Sequence, residues 1–262
     1  MSDSVLLRID GPLARITFHR PASLNAMDFE MGAQWRDAAR AATADGIGAV
    51  VLDAAGSAFC AGGDVVAMAT SGASGSDVTA AAHVIHEGIR ALVDSAVPVV
   101  AAVQGAVAGG GLGLMLAADY IVAAENARFV SRYANIGLTP DLGVSTLLPA
   151  AVGQRRALQL LLQDRMLSAA EALEWGLVAE VVAPEAVAAR ADEVARFWLD
   201  GATAAFGQAK RLVRSGAHRS FAENLDDEAA TIGAAFGTPD AAARIAAFAA
   251  ASAENRPSGG TA

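Results

Sequence analysis

The residues best suited to chemistry lie in "YANIGLTPDLG", residues 133–143. The stretch is small and apolar, yet Asp141 follows Pro140 in its middle and Tyr133 opens it. A carboxylate held in such surroundings can move a proton as a general acid or base. An Asp just after a proline turn can equally cap the helix running into "GVSTLLP". Spacing alone leaves both roles open. Two glycine-rich turns offer complementary chemistry. "FCAGGD" joins an apolar strand to a helix at Asp64, and "AVAGGGLGL" joins a second apolar strand to an apolar helix. Glycine lets a backbone approach a ligand closely. The first amides of a helix are unpaired and carry partial positive charge. Two such turns face to face would hold a developing oxyanion. Either turn alone reads as a close-packed crossover.

Several other chemistries are excluded. There is no G-x-x-x-x-G-K-[ST], and "AGGGLGL" does not fit G-x-G-x-x-G, so phosphate-loop and dinucleotide sites are unsupported. No G-x-S-x-G nucleophile elbow occurs. His83 and His86 are three apart with Glu87 behind them, but no further His or Cys completes a metal set. They read as a solvated helix face, and no metal is expected. The formal net charge is -9 and the only lysine is Lys210, which disfavours nucleic acid and anionic membrane as partners. The single cysteine, Cys60, rules out an intrachain disulfide and fits a reducing compartment. "MSDSVLLRIDG" has no signal-peptide pattern, and the longest apolar stretch is broken by Gln104 and several glycines. A soluble, cytoplasmic protein is the expectation.

The elements that must position these residues follow from the pattern. Of 262 residues, 54 % are hydrophobic and 18 % charged, enough for one large core. "VLLRIDGPLARITFHR" predicts a hairpin around Gly11-Pro12, and Asp28 a cap for the helix that follows. "GAVVLDAAG" and "VPVVAAV" read as buried strands, with residues 71–77 a flexible surface segment between them and then a helix to about Leu92. "DYIVAAENARFV" gives two short strands. Ser168 and Glu171 form a capping box on a helix that Gly176 ends. From about Pro184 the pattern is helical. The order reads as α/β with an added helical C-terminal region. The expected organisation is a core over 1–195, a helical region over 196–254 and a mobile tail over 255–262.

In this order, "HRPASLNAMD", "AFCAGGDVVAM", "PVVAAVQGAVAGGGLGLMLAADYIVAAENARF", "IGLTPDLGVSTLLPAAVG" and "EALEWGLVAEVV" resemble the enoyl-CoA hydratase/isomerase (crotonase) family. The likeness runs from about Val5 to the C-terminal helices. It implies a spiral of ββα units with a helical trimerisation region, assembled as a trimer or hexamer. It implies an acyl-CoA thioester as substrate, with coenzyme A arriving as part of that substrate and no separate cofactor. The oxyanion donors then map by position to the amides of Ala61 and Gly110. Leu24, Ala26 and Met27 map to the coenzyme A channel, followed by Gly62, Gly63 and Asp64 beyond the first donor. Asp64 also reads as an N-cap. Met68 maps to the border of the acyl pocket, and Lys210 to a lysine that meets coenzyme A phosphate.

The chain departs from the hydratase pattern at both water-activating glutamates. By position these are Gly113 and Tyr133. Glycine transfers no proton, and a tyrosine with an ordinary pKa near 10 is a poor base at neutral pH. Asp141 matches the single acid/base of isomerase branches, which shift a double bond or rearrange a ring epoxide. The resemblance therefore implies an isomerase. A hydratase with atypical catalytic residues and a non-catalytic acyl-CoA-binding homologue are the alternatives.

Overall fold

A computed structural model describes residues 3–163 and 165–254. The strands, in chain order, are β1 (Val5–Asp10), β2 (Leu13–Phe18), β3 (Ala49–Ala54), β4 (Val99–Val103), β5 (Ala106–Ala108), β6 (Tyr120–Ala124), β7 (Arg128–Val130), β8 (Met166–Ser168) and β9 (Glu180–Val182). The α-helices are α1 (Phe29–Ala41), α2 (Val65–Ser71), α3 (Gly75–Val93), α4 (Gly110–Leu116), α5 (Val144–Val152), α6 (Gln154–Leu162), α7 (Ala169–Trp175), α8 (Val187–Asp200), α9 (Thr203–Gly216), α10 (Phe221–Phe236) and α11 (Pro239–Glu254).

One sheet has the order β1-β2-β3-β4-β6-β9, and a smaller one has the order β5-β7-β8. After the antiparallel β1–β2 hairpin, every neighbour in the large sheet is parallel. Parallel neighbours require a crossover, and helices supply it. β4 is followed at once by β5, and β6 by β7, so these two turns of the chain each add a strand to both sheets before the next α-helix. This is the crotonase-type spiral of ββα units.

The central strands β3, β4 and β6 are buried on both faces, which explains their near-continuous apolar sequences, whereas edge strand β1 is largely exposed. Side chains alternate along a strand. Ala49, Val51, Val100, Ala102, Val122 and Ala124 face α8, packing on its Val187, Ala191 and Val194. Val50, Leu52, Val99, Ala101, Val103 and Ile121 point the other way, into the main core. There Phe18 packs against Trp35 and Phe59 with ring centroids 5.6 and 5.5 Å away. Gly88 lets α3 close on α1: a Cβ there would lie 2.5 Å from Trp35 Nε1.

The local signals hold where a side chain decides them. Asp28 caps α1 by accepting from the Met31 amide. The Ser168–Glu171 capping box is present, and Gly176 ends α7 at φ +77°. Two expectations are corrected. Residues 75–77 belong to α3, whose first turn is fixed by a second capping box between Ser74 and Asp77. The boundary expected at 195/196 falls inside α8, which runs unbroken to Asp200 because its apolar stripe lies on the sheet. The tail over 255–262 lies outside the described residues. No helix among the described residues is long and apolar enough to cross a membrane.

Candidate active site

The two glycine turns meet. The Cys60 amide donates to the Ala106 carbonyl at 3.1 Å, and the Ala108 amide donates to the Cys60 carbonyl at 3.0 Å. These bonds lay the chain after β3 alongside β5. Three glycines make the fit possible. Gly62, at φ +99°, has no room for a Cβ, which would sit 2.8 Å from the Ala108 carbonyl oxygen and 3.5 Å from the Gly110 nitrogen. A Cβ on Gly111 would sit 2.3 Å from the Cys60 carbonyl oxygen. A Cβ on Gly110 would sit 2.8 Å from Leu142 Cδ1 and 3.7 Å from Asp141 Oδ1. The start of α4 is thus wedged between the first glycine turn and the segment carrying Asp141. Cys60 is buried beneath them, and burial pushes its thiol up to about 12, so it is chemically inert.

The segment predicted to line the coenzyme A channel joins this centre. The Met27 amide donates to the Gly62 carbonyl at 2.8 Å, and the Asp64 amide donates to the Met27 carbonyl at 2.9 Å. Leu24 and Asn25 make the sharp turn in left-handed conformations, at φ 51° and 55°. Buried Asn25 holds that turn: its amide group donates to the Ala55 and Ala58 carbonyls, and its Oδ1 accepts from Arg20 N–H. Leu24 is exposed and Ala26 half-buried, whereas the Met27 side chain lies in the core. Met68 does reach the centre, its methyl 3.1 Å from where a Gly63 Cβ would stand.

Two predicted roles change, and at Asp64 the N-cap reading holds. The Ala61 amide donates to the Leu24 carbonyl at 3.0 Å, so it is not a free donor. Two residues on, the exposed Gly63 amide finds no acceptor among the described residues, and neither does that of Gly110. Lys210 is buried, with Nζ 2.7 Å from the carbonyls of Leu92 and Val97, 3.4 Å from Ser95 Oγ and 3.0 Å from Asp119 Oδ2. It fastens α9 to the end of α3 and the start of β4, and does not point out to meet a phosphate. Asp64 is structural: its carboxylate caps α2 through the Ala67 amide and pairs with Arg20 at 3.1 Å.

Asp141 caps nothing with its side chain. The N-cap of α5 is Gly143, without a side-chain bond. Instead the buried Tyr133 hydroxyl donates to Asp141 Oδ1 at 2.6 Å. Burial, then the neighbouring Asp141 charge, raises the phenol far above its ordinary value of 10, so Tyr133 stays a donor. Asp141 Oδ2 has no partner among the described residues, and the residue is exposed. The adjoining Leu142 holds a left-handed φ of 50°. Its carbonyl oxygen would lie 2.1 Å from a Cβ on Gly113. No side chain, and so no glutamate, fits at 113 while this turn is in place.

The sequence reading missed His86. It does not face solvent: its half-buried ring on α3 accepts the Leu142 amide at Nε2, 3.2 Å away. Its spacing from His83 gave no hint, because nothing local shows which face of α3 meets residues 56 positions later.

An exposed carboxylate with one unpartnered oxygen thus stands beside the start of α4, and two amides without acceptors among the described residues lie at the same crossing. The chain belongs to the enoyl-CoA hydratase/isomerase family, whose model matches residues 8–253. It is similar to the 1,2-epoxyphenylacetyl-CoA isomerase of Escherichia coli K12, at 32 % identity over 87 % of this chain and 88 % of that one. It is also similar to 4-chlorobenzoyl coenzyme A dehalogenase-2 of an Arthrobacter species, at 34 % identity over 90 % and 87 %. Among solved structures, an enoyl-CoA hydratase from Bacillus anthracis superposes with a TM-score of 0.87 at 27 % identity, covering 94 % of this chain and 95 % of that one.

Proposed function

We propose that the protein is an acyl-CoA isomerase with Asp141 as its single acid/base. The observation that carries this reading is the setting of Asp141. Its Oδ1 takes the Tyr133 hydroxyl at 2.6 Å, its Oδ2 is open, and the neighbouring Leu142 carbonyl fills the space at Gly113 where a hydratase glutamate would stand. The amides of Gly63 and Gly110 hold the thioester oxygen as it becomes an enolate. Each such donor lowers the barrier by about 3–4 kcal/mol. Asp141 removes a proton from one carbon and returns it to another two carbons away. Tyr133 fixes the carboxylate and remains protonated throughout. Leu24, Ala26, Gly62 and Met68 border the thioester and its pantetheine arm. Similarity to an epoxyphenylacetyl-CoA isomerase supports this branch. The exposed apolar stripe of α10 and Phe248 of α11 support self-association as a trimer or hexamer through the C-terminal helices.

The test is conversion of 3-enoyl-CoA thioesters to the conjugated isomers, followed by absorbance, with α-proton exchange in deuterated water alongside. Asp141→Asn lowers both rates by about 10³-fold and leaves thioester binding nearly intact. Incorporation of solvent oxygen into the product, or binding without exchange at any chain length, overturns the assignment.

A further inference from the structure

We propose that His86 is a positioning residue for Asp141: its neutral ring holds the turn that carries the carboxylate, and protonation of the ring lets that turn go. The inference rests on the acid/base role given to Asp141 above.

The Asp141–Leu142 turn does not hold itself. Leu142 sits at φ 50°, a left-handed conformation that is unfavourable for an ordinary L-residue. Such a conformation persists only when its surroundings impose it. Two of the restraints come from α4. The Leu142 carbonyl is pressed against Gly113 and the Leu142 side chain against Gly110. The third is the bond from the Leu142 amide to His86 Nε2, which anchors the turn to α3. Among the described residues, no other acceptor takes that amide.

An imidazole nitrogen accepts only while it is unprotonated, and an imidazolium has two donors and no acceptor. The observed bond therefore fixes His86 as neutral, with the proton on Nδ1. Protonation puts two N–H groups head to head and breaks the bond. The charged groups acting on the ring are Asp141, which favours the proton, and Arg90 and His83, which oppose it. Burial opposes it most, so the ring titrates below its ordinary value of 6.5. The unfolded chain then binds the proton more readily than the folded one. The stability tied to this bond is complete above about pH 6.5 and is lost as pH falls through the lower folded value. Below that point the imidazolium is drawn to the Asp141 carboxylate and competes with substrate for it.

The experiment has two independent readouts. Asp141-Leu142 is the only Asp-Leu step in the chain. Labelling aspartate carbonyls with ¹³C and leucine amides with ¹⁵N therefore isolates the Leu142 amide as one resonance. In the native protein that resonance moves with pH at the midpoint of the His86 ring. An amide that stays still while the ring titrates overturns the proposal, whatever the enzyme catalyses.

The second readout is the pH profile of α-proton exchange on a panel of straight-chain and arylacetyl-CoA thioesters. His86→Gln keeps an acceptor near the Nε2 position but cannot titrate. It retains the rate near neutral pH, and its acid-side fall moves to lower pH. His86→Ala lowers kcat by up to about 10²-fold, with KM little changed. A His86→Gln profile that keeps the native acid limb overturns the proposal. Absence of exchange in the native protein overturns the role of Asp141 instead, and the amide titration still decides for His86.

Discussion

Two helices of this protein are partnered in opposite ways. Every residue of α4 is buried, enclosed by the two glycine turns, by α5 and by Leu142. No residue of α10 is buried. Yet α10 carries an apolar stripe at helical spacing: Phe221, Leu225, Ile232 and Phe236, exposed at 81, 46, 72 and 70 %. Its polar side is the one that meets the rest of the chain, with Asp227 accepting from Arg211 and Arg219, and Thr231 accepting from Arg211 at 2.7 Å. A helix docked by its charges, with its apolar face turned outward, has not finished burying what hydrophobicity requires. The enclosed helix is complete within one chain, while the uncovered one presents an apolar face that the described residues leave open.

Lys210→Ala breaks this comparison most severely, because it attacks the joint between the two regions. Lys210 lies on α9, the helix that links core to α10, and its ammonium is enclosed by four acceptors. Removing it leaves the Val97 carbonyl with only the 3.4 Å bond from Ser95 Oγ and strips Asp119 Oδ2 of its buried ammonium partner. Denaturant titration is expected to show a loss of about 3–5 kcal/mol. Burial lowers the lysine's pKa against the pull of Asp119. The group thus binds its proton less readily when folded, so raising the pH from its lowered folded value towards 10.5 adds stability rather than removing it.

A change at the uncovered helix has a different signature. On the proposed self-association, replacing Ile232 and Phe236 with serine is expected to lower the sedimentation coefficient to that of a monomer in analytical ultracentrifugation, while the core keeps its far-ultraviolet spectrum. An unchanged sedimentation coefficient would assign the stripe to some other partner. The smallest effect sharpens the contrast. Ser168→Ala removes a capping bond on core-packed α7 and costs about 1 kcal/mol of global stability. The same change at Ser220, which starts α10, should leave the core transition alone and act only on assembly.

What was legible in the sequence follows the same divide. Asp28, Ser168 and Gly176 act within one helical turn of themselves, so their roles could be read from neighbours. The alternation that buries β3 and β4 on both faces is likewise local. Ala61, Lys210 and His86 were misread because their partners lie 37, 113 and 56 residues away. Ala61 and Gly63 differ by two places in one short turn, and only the bond from Ala61 to Leu24 shows which amide is taken. Lys210 could equally have reached outward or inward, since a four-carbon stem suits both. Family likeness singles out Asp141 as a candidate, while its hydrogen bond from Tyr133 is visible only in the folded chain.

The contact between the Leu142 carbonyl and Gly113 also bears on how one scaffold can divide into different enzymes. The hydratase glutamate that maps to position 113 and the turn that presents Asp141 would occupy the same volume. A lineage cannot acquire one residue at a time and keep both, because each intermediate meets a steric clash or lacks any working carboxylate. Exchange between the two chemistries therefore calls for a coordinated move, in which residue 113 gains its side chain as residues 141–143 withdraw. Libraries that vary these positions together should find variants that single-site scanning never reaches.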